Sequence, residues 1–209
     1  EEALNKVSFQ LEAGKTLAIL GRTGCGKTTL LQLITRMYDV TSGAVKVGDI
    51  DVRELDLKIL RGHIGVVPQE AFLFSDTLEN NIRFGKADTT KAEVENAAKQ
   101  AAVHNSIMNF SKGYQTIIGE RGVSLSGGQK QRIGIARALY TKPEILVLDE
   151  ATNALDLENE NKILDMLLNS SLIKTIIMVT HRQDNLYRFE KVYKFKNKIL
   201  IDDTNRYRK

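Results

Sequence analysis

One glycine-rich segment, flanked by an apolar run and a leucine-rich stretch, constrains the fold of this chain more than any other feature. Residues 21–28 fit the pattern G-x-x-x-x-G-K-[ST]. The segment follows Thr16–Leu20, an apolar run that predicts a buried strand, and it precedes residues 28–37, whose leucine spacing predicts a helix. Glycines let successive backbone N–H groups surround a phosphate, and a helix N-terminus adds positive potential. We therefore predict a phosphate-binding loop. A chance glycine-rich turn is the alternative, and the flanking elements argue against it.

The side chains of this loop suggest individual roles. Lys27 is expected to supply a positive charge to the β- and γ-phosphates of a nucleotide, and the Thr28 hydroxyl to ligate Mg²⁺. Cys25 is either unconstrained or a thiol made reactive by the nearby helix. In the second case its alkylation would block nucleotide binding, and unchanged affinity after full alkylation would contradict the idea. The expected nucleotide-binding residues are Gly21, Arg22, Thr23, Gly24, Cys25, Gly26, Lys27, Thr28 and Thr29.

Two adjacent carboxylates form the second candidate site. The apolar run 145–148 ends in Asp149 and Glu150, and α/β folds bind ligands at the carboxyl ends of their strands. We expect Asp149 to hold Mg²⁺ through water. Glu150 should point to the other side of the strand, where it could polarise the attacking water as general base. Alternatively, both are favourable negative charges before the next helix.

A second glycine-rich turn occupies residues 125–129, directly before a predicted helix at 129–140. Ser126 can cap this helix, and Gly127 and Gly128 let an anion approach the backbone. A nucleotide bound at Lys27 does not need both glycine-rich segments, 21–28 and 125–129, from the same molecule. We therefore predict a two-fold dimer in which each turn closes on the partner's nucleotide.

The remaining pattern alternates strands with helices, which predicts an α/β fold with a parallel sheet. Strands are expected at 7–11, 44–47, 64–67 and 175–179, helices at 88–108 and 157–168, and a hairpin at 192–201 that turns near Asn197. Thr90 and Glu93 form a predicted capping box. Residues 71–141 lack buried apolar strands, so we expect one domain over 1–209, with a core at 1–70 and 142–209 and a helical subdomain at 71–141.

Composition excludes several classes of protein. The chain has 209 residues, 42% hydrophobic, with a net charge of +4 and a single cysteine, so no intrachain disulfide can form. Basic residues cluster only at 191–198, where alternation suggests the solvent face of a strand. We therefore expect no nucleic-acid partner. No apolar run approaches the roughly 18 residues needed to cross a bilayer, and no signal peptide is expected, so another chain or segment would supply any membrane span.

Together these motifs resemble the nucleotide-binding domain of an ATP-binding cassette (ABC) transporter, over nearly the whole chain. LSGGQ at 125–129 matches the family signature. Three further matches are the Q-loop Gln69, the D-loop at 154–156 and the switch histidine His181. The resemblance implies a RecA-like P-loop NTPase core with a mixed sheet, an inserted helical subdomain and a small N-terminal β region.

The resemblance also implies roles for these residues, with ATP and Mg²⁺ as ligands. Gln69 would contact Mg²⁺ and the attacking water and relay the nucleotide state to a transmembrane partner. His181 would hydrogen-bond the γ-phosphate, although its position after a strand would otherwise suggest a structural residue. The D-loop would contribute Asp156. The residues implied to contact the partner's nucleotide are Leu125, Ser126, Gly127, Gly128 and Gln129.

Two segments, 72–85 and 116–122, resemble the exporter type, the second of them its X-loop. Phe72 and Phe74 are either contacts for the membrane partner or core residues of the helical subdomain. The segment that leads into the D-loop departs from the family at Asn153, where serine is usual. The resemblance places the adenine-stacking aromatic upstream of residue 1, and Met37 and Tyr38 are not replacements by family position.

We therefore expect the ATP-hydrolysing motor domain of an ABC exporter, which drives transport through ATP-dependent head-to-tail dimerisation. Its expected partners are a second such domain, identical or different, and transmembrane domains, at the cytoplasmic face of the cell membrane. A regulatory domain that does not hydrolyse ATP is the main alternative, but Glu150 and His181 are both present. A soluble ABC ATPase of DNA repair or translation lacks support, because no coiled-coil insertion is visible. The second glycine-rich turn disfavours a P-loop kinase.

Overall fold

The computed structural model describes residues 3–84, 90–119, 122–196 and 198–208. The chain divides into two compact units. Unit 1 comprises residues 1–66, 143–150 and 173–209, and unit 2 comprises residues 67–142 and 151–172. Residues 151–172, which we expected in the core, thus group with the helical part, and the domain boundaries themselves stay a prediction.

Unit 1 is built on a mixed six-stranded sheet with the order β4-β5-β6-β1-β7-β8. Strand β1 is parallel to β6 and β7, β5 is parallel to β6, and β8 is antiparallel to β7. A two-stranded antiparallel sheet, β2-β3, lies in the same unit. The strands are β1 Thr16–Leu20, β2 Lys46–Val47, β3 Ile50–Asp51, β4 Ile64–Val67, β5 Ile145–Asp149, β6 Thr175–Thr180, β7 Lys191–Lys196 and β8 Ile199–Asp202.

Among the described residues, five α-helices lie in unit 2 and three in unit 1. Unit 1 contains α1 Lys27–Ile34, α2 Leu57–His63 and α8 Thr204–Tyr207, and unit 2 contains α3 Leu78–Arg83, α4 Lys91–Gln100, α5 His104–Met108, α6 Gly127–Tyr140 and α7 Leu157–Leu168. Single 3₁₀ turns occur at Gly113–Gln115 and Leu186–Arg188. No helix in the described part of the chain combines the length and apolarity needed to cross a membrane.

The parallel strands bring the functional loops of unit 1 to one edge of the sheet. Leu20 pairs with Thr180, and Asp149 pairs with Val179, so β1, β5 and β6 end together. Apolar residues of these strands and of α1 form one buried core. Because α1 packs on this sheet, the loop at 21–26 is held between a buried strand end and a buried helix start.

The predicted strand at 7–11 is wrong, although its pattern of exposure is right. Val7, Phe9 and Leu11 are half-buried against the core of unit 1, whereas Ser8 and Gln10 are exposed. The segment belongs to no sheet in the described structure. Period-two alternation reports an extended backbone with one buried face, and hydrogen bonding to a neighbouring strand is a separate requirement.

The helix expected at 88–108 is two helices. Residues 88 and 89 lie outside the described residues, and the capping box between Thr90 and Glu93 that begins α4 is confirmed. Ala102 adopts a left-handed conformation with φ of +52° and separates α4 from α5.

Helix α1 is also shorter than predicted. It ends at Ile34 and not at position 37, because Arg36 has φ of +50°. The hairpin at 192–201 is confirmed as β7-β8, and its predicted turn at Asn197 lies outside the described residues.

Candidate nucleotide-binding site

The glycine-rich loop joins β1 to α1, as predicted. Gly24 and Gly26 have φ of +78° and +105°, a region that disfavours residues with a Cβ. A Cβ on Gly26 would also lie 2.7 Å from Leu4 Cδ2 and 2.9 Å from the carbonyl oxygen of Ala3. Glycine at position 26 is therefore required both by backbone conformation and by space.

Cys25 is half-buried, and the effect of its alkylation stays a prediction.

Lys27, the first residue of α1, directs its ammonium group back over this loop. Its Nζ donates to the carbonyl oxygens of Gly21 at 2.8 Å and Arg22 at 3.0 Å. The same Nζ lies 3.0 Å from Oε1 of Glu150, and the Lys27 side chain is only 4% exposed. A buried cation therefore sits at the centre of the loop with a carboxylate as its counter-ion.

Glu150 lies immediately beyond β5 and has φ of +49°. We expected strand alternation to orient this side chain, but the strand ends at Asp149, and the left-handed backbone sets the direction instead. The Glu150 N–H donates to the Val179 carbonyl at 2.9 Å, which fixes the turn against β6. A left-handed non-glycine residue costs about 1–3 kcal/mol and persists where the surrounding structure enforces it.

His181 follows the end of β6 and reaches the same carboxylate. Its Nδ1 lies 3.2 Å from Oε2 of Glu150, so the two oxygens of Glu150 face Lys27 and His181 respectively. The His181 side chain is 52% exposed. It can therefore meet a ligand that enters from solvent while it contacts the buried carboxylate.

Asp149 is buried at the end of β5 next to the loop. Burial raises the pKa of this carboxyl group, and a hydrogen bond from the Thr28 hydroxyl opposes the rise. Its Oδ1 is buried, and no group among the described residues hydrogen-bonds to it. Such an unsatisfied carboxylate oxygen beside a hydroxyl suits a hard cation, since Mg²⁺ prefers oxygen ligands. The residues present thus fit a Mg²⁺ ion.

Unit 1 therefore brings five predicted side chains to one edge of the sheet: Lys27, Thr28, Asp149, Glu150 and His181. The remaining predicted residues of the loop, 21–26 and Thr29, belong to the same unit. The predicted residues of the Q-loop, the signature turn and the D-loop lie in unit 2. Gln69 follows β4, the signature residues 125–129 start α6, and Asp156 precedes α7.

The signature turn caps α6, as predicted from Ser126. Ser126 Oγ accepts from the Gln129 N–H at 3.2 Å, and Gln129 Oε1 accepts from the Ser126 N–H at 2.9 Å. The helix begins at Gly127, two positions earlier than expected. This reciprocal box fixes the turn at the start of the helix.

Asp156 is the N-cap of α7. Its carboxylate accepts from the backbone N–H of Asn159 at 2.8 Å and from the Asn159 side chain at 2.7 Å. These hydrogen bonds lower the pKa of Asp156. The D-loop carboxylate is therefore held in its charged form by the helix that follows it.

Gln131 is one of the buried polar residues of unit 2 that sequence reasoning missed. Its Nε2 donates to the Gln69 carbonyl at 3.3 Å, and its Oε1 accepts from the Ala154 N–H at 3.0 Å. The sequence signal that could have identified it is its spacing on α6, where it lies four residues before Ile135 and seven before Ala138, both of which are buried. A glutamine on an apolar helical face predicts a specific hydrogen-bonding role.

Comparison with known proteins identifies the family. A family model described as ABC transporter matches residues 4–153. The chain is 45% identical over 202 residues to the putative multidrug export ATP-binding/permease protein YgaD of Bacillus subtilis, covering 97% of this chain and 35% of that protein. It is 43% identical over 201 residues to human ATP-binding cassette sub-family B member 6, covering 96% of this chain and 24% of that protein.

A solved structure gives the same result. The structure of a bacterial Atm1-family ABC exporter with ATP bound matches with a TM-score of 0.91 and 38% identity, over 96% of this chain and 35% of that chain. The chain thus spans 24% to 35% of the length of these similar proteins. It belongs to the ABC transporter family, as an ATP-binding ATPase domain.

Proposed function

We propose that this domain is the motor of a membrane exporter and couples hydrolysis of ATP to ADP and phosphate to transport. The observation that carries the proposal is the position of Glu150, whose two carboxylate oxygens lie 3.0 Å from Lys27 Nζ and 3.2 Å from His181 Nδ1. A general base must lie within hydrogen-bond reach of the proton that it abstracts, so the base for hydrolysis must be close to the groups that bind the reacting phosphate. Here the base, the phosphate-binding cation and the histidine converge within one unit.

The Lys27–Glu150 ion pair suggests how binding prepares hydrolysis. The β- and γ-phosphates carry several negative charges, so they compete with a single carboxylate for the Lys27 ammonium. When they replace Glu150 there, the carboxylate becomes available to accept a proton from the attacking water. His181 donates a hydrogen bond to the γ-phosphate, and the N–H groups of the loop stabilise its developing charge.

Asp149 and Thr28 are the residues of unit 1 that would hold Mg²⁺, and the role of Gln69 toward the ion stays a prediction from the family resemblance. The bound ion supplies charge neutralisation at the phosphates. The buried, unsatisfied Oδ1 of Asp149 supports this assignment. Because burial already raises the pKa of Asp149, the site favours a positive partner over an isolated carboxylate.

The proposed partners are a second ABC domain and transmembrane domains. The signature turn 125–129 would bind the nucleotide of the second domain, with Asp156 at the same interface. An aromatic cluster formed by Phe72, Phe74 and Phe84 supports the contact with the membrane part, since Phe72 is 69% exposed and its ring lies edge-on to Phe74. The domain would work at the cytoplasmic face of the membrane.

The test compares phosphate release by the wild type with that of Glu150→Gln, together with ATP-dependent size measurements. Glu150→Gln keeps the size of the side chain and removes its basicity, so we expect turnover to fall by at least ~100-fold. The variant should accumulate as an ATP-bound dimer. Glu12→Gln, an exposed substitution of the same kind, should hydrolyse ATP like the wild type. Full turnover by Glu150→Gln would remove Glu150 from this role.

A further inference from the structure

Gln131 is a buried polar residue of unit 2 whose side-chain amide contacts two loops. Its side chain is 6% exposed and lies on α6, five residues after the signature serine Ser126. Both ends of its amide are engaged, one by the backbone of Gln69 and the other by the backbone of Ala154. One side chain therefore links the signature helix to the Q-loop and to the D-loop.

The packing around α6 brings both loops close to this helix. A Cβ on Gly128 would lie 3.2 Å from the carbonyl oxygen of Ala154, and a Cβ on Gly134 would lie 2.8 Å from Ala71 Cβ. The helix thus has close contacts with the D-loop at its first turn and with the segment after Gln69 two turns later. Gln131 lies between these two contacts and hydrogen-bonds to both loops.

The chemistry of the two contacts demands an amide. The Ala154 N–H can only donate and the Gln69 carbonyl can only accept, so a single group must accept at one end and donate at the other. This requirement also fixes the orientation of the Gln131 amide. A glutamate in its ionised form would keep the bond to Ala154 and place an oxygen against the Gln69 carbonyl. A methionine would fill the space without either bond.

We infer that Gln131 is a positioning residue for ATP hydrolysis, which holds the Q-loop and the D-loop in fixed relation to the signature helix. The inference rests on the proposed function. Both of its bonds go to backbone atoms, so the side chains of Gln69 and Asp156 stay available for their proposed contacts. Since Gln131 bonds to neither residue 27 nor its loop, its loss should slow turnover without weakening the binding of ATP.

The test uses two variants of the purified protein with different remaining bonds. Gln131→Glu retains the acceptor for Ala154, and Gln131→Met retains neither bond. Turnover, ATP affinity and hydrogen exchange of the Ala154 amide are measured for each. Gln10→Glu and Gln10→Met make the same changes at an exposed position and serve as matched controls.

We expect kcat to fall by ~10-fold or more in both variants, since a lost buried hydrogen bond that leaves its partner unsatisfied has effects of this order. ATP affinity should stay within about twofold, because the phosphate loop is untouched. The Ala154 amide should be protected in the wild type and in Gln131→Glu and lose protection in Gln131→Met. That pattern would not arise from a general loss of packing.

Three outcomes overturn the inference. Turnover within twofold of the wild type in both variants excludes a positioning role. A parallel loss of ATP affinity, turnover and thermal stability shows that Gln131 serves folding alone. An unprotected Ala154 amide in the wild type excludes the bridge itself, even if neither variant folds. Absence of hydrolysis in the wild type would instead overturn the proposed function, while the exchange data would still report whether Gln131 links the two loops.

Discussion

Lys27 Nζ lies 3.0 Å from Oε1 of Glu150, and the two side chains are only 4% and 7% exposed. Removing one partner of a buried ion pair leaves an uncompensated charge, which costs far more than the loss of an exposed pair. The Lys27 ammonium is thus neutralised within unit 1 by Glu150. Under the proposed function, ATP would compete with Glu150 for this ammonium group, and nucleotide binding would release the carboxylate to act as the base.

This competition predicts opposite effects of Glu150→Gln with and without nucleotide. Without ATP, the variant should lose about 1–3 kcal/mol of unfolding free energy, because a neutral amide replaces the counter-ion of a buried cation. ATP should bind more tightly than to the wild type, since its competitor is gone. Urea unfolding and ATP titration measure the two effects. Unchanged stability together with weaker ATP binding would show that the pair does not form.

Gly26→Ala should disrupt the phosphate loop by strain and by collision. Its φ is +105°, and the added Cβ would lie 2.7 Å from Leu4 Cδ2. We expect a loss of about 1–3 kcal/mol in unfolding free energy and at least ~10-fold weaker ATP binding, since the loop must shift. Urea unfolding and nucleotide titration check both.

Gly14→Ala is the matched control for this change. Gly14 has φ of +84°, and a Cβ added at that position would meet nothing within 4 Å. It should lose about 1 kcal/mol from backbone strain alone and bind ATP like the wild type. Equal ATP affinity for both alanine variants would contradict the role of Gly26.

The predicted bounds of helices and strands were most accurate where one clear hydrophobic period ended at an abrupt change of composition. Strand β1 at Thr16–Leu20 and helix α7 at Leu157–Leu168 match their predicted bounds, because each is a strong pattern followed by a change of composition. The convergence of Lys27, Asp149 and Glu150 also followed from the rule that parallel strands share one carboxyl edge.

The features of the fold and of the site that were not predicted depend on long-range contacts, which no local sequence pattern encodes. The left-handed conformations of Ala102 and Glu150 ended a helix and redirected a carboxylate, and neither residue type favours that region. Gln131 stands out only as a polar residue on an apolar face, and its two partners lie 62 and 23 positions away in sequence. Tertiary structure therefore supplied the orientation of the Glu150 carboxylate and the link between the loops.

Arg137 on α6 organises the aromatic cluster of unit 2. Its guanidinium donates to the Asn81 carbonyl at 2.7 Å and to the Phe72 carbonyl at 2.8 Å, and it lies 5.7 Å and 5.4 Å from the ring centres of Phe74 and Phe84. Arg137→Lys keeps the charge and loses the planar fork that serves both carbonyls. We expect a loss of about 1–3 kcal/mol in unfolding free energy by urea titration.

Lys112→Ala, an exposed change in the same unit, is the control and should shift stability by no more than about 0.5 kcal/mol. If Arg137→Lys were as stable as this control, the guanidinium fork would contribute nothing to the cluster. A loss for Arg137→Lys with unchanged ATP affinity would locate its effect in unit 2.

Glu93 gives unit 2 a contribution to stability that depends on pH. Hydrogen bonds from Lys142 and the Thr90 N–H lower the pKa of this carboxyl from its usual 4.5 to about 2. Because the folded-state pKa lies below the unfolded one, the contribution is complete above about pH 4.5 and is lost as the pH falls toward about 2. Glu93→Gln preserves the capping box and removes the charge.

The urea midpoint of Glu93→Gln should therefore lie below that of the wild type at pH 7, and the difference should shrink as the pH falls through this range. Added salt should also reduce it, because the Lys142–Glu93 pair is exposed to solvent. Glu12→Gln, at an exposed position in unit 1, controls for the change in net charge and should show no comparable trend. A difference for Glu93→Gln that stays constant from pH 7 to pH 3 would mean that packing of the side chain, and not its charge, stabilises the start of α4.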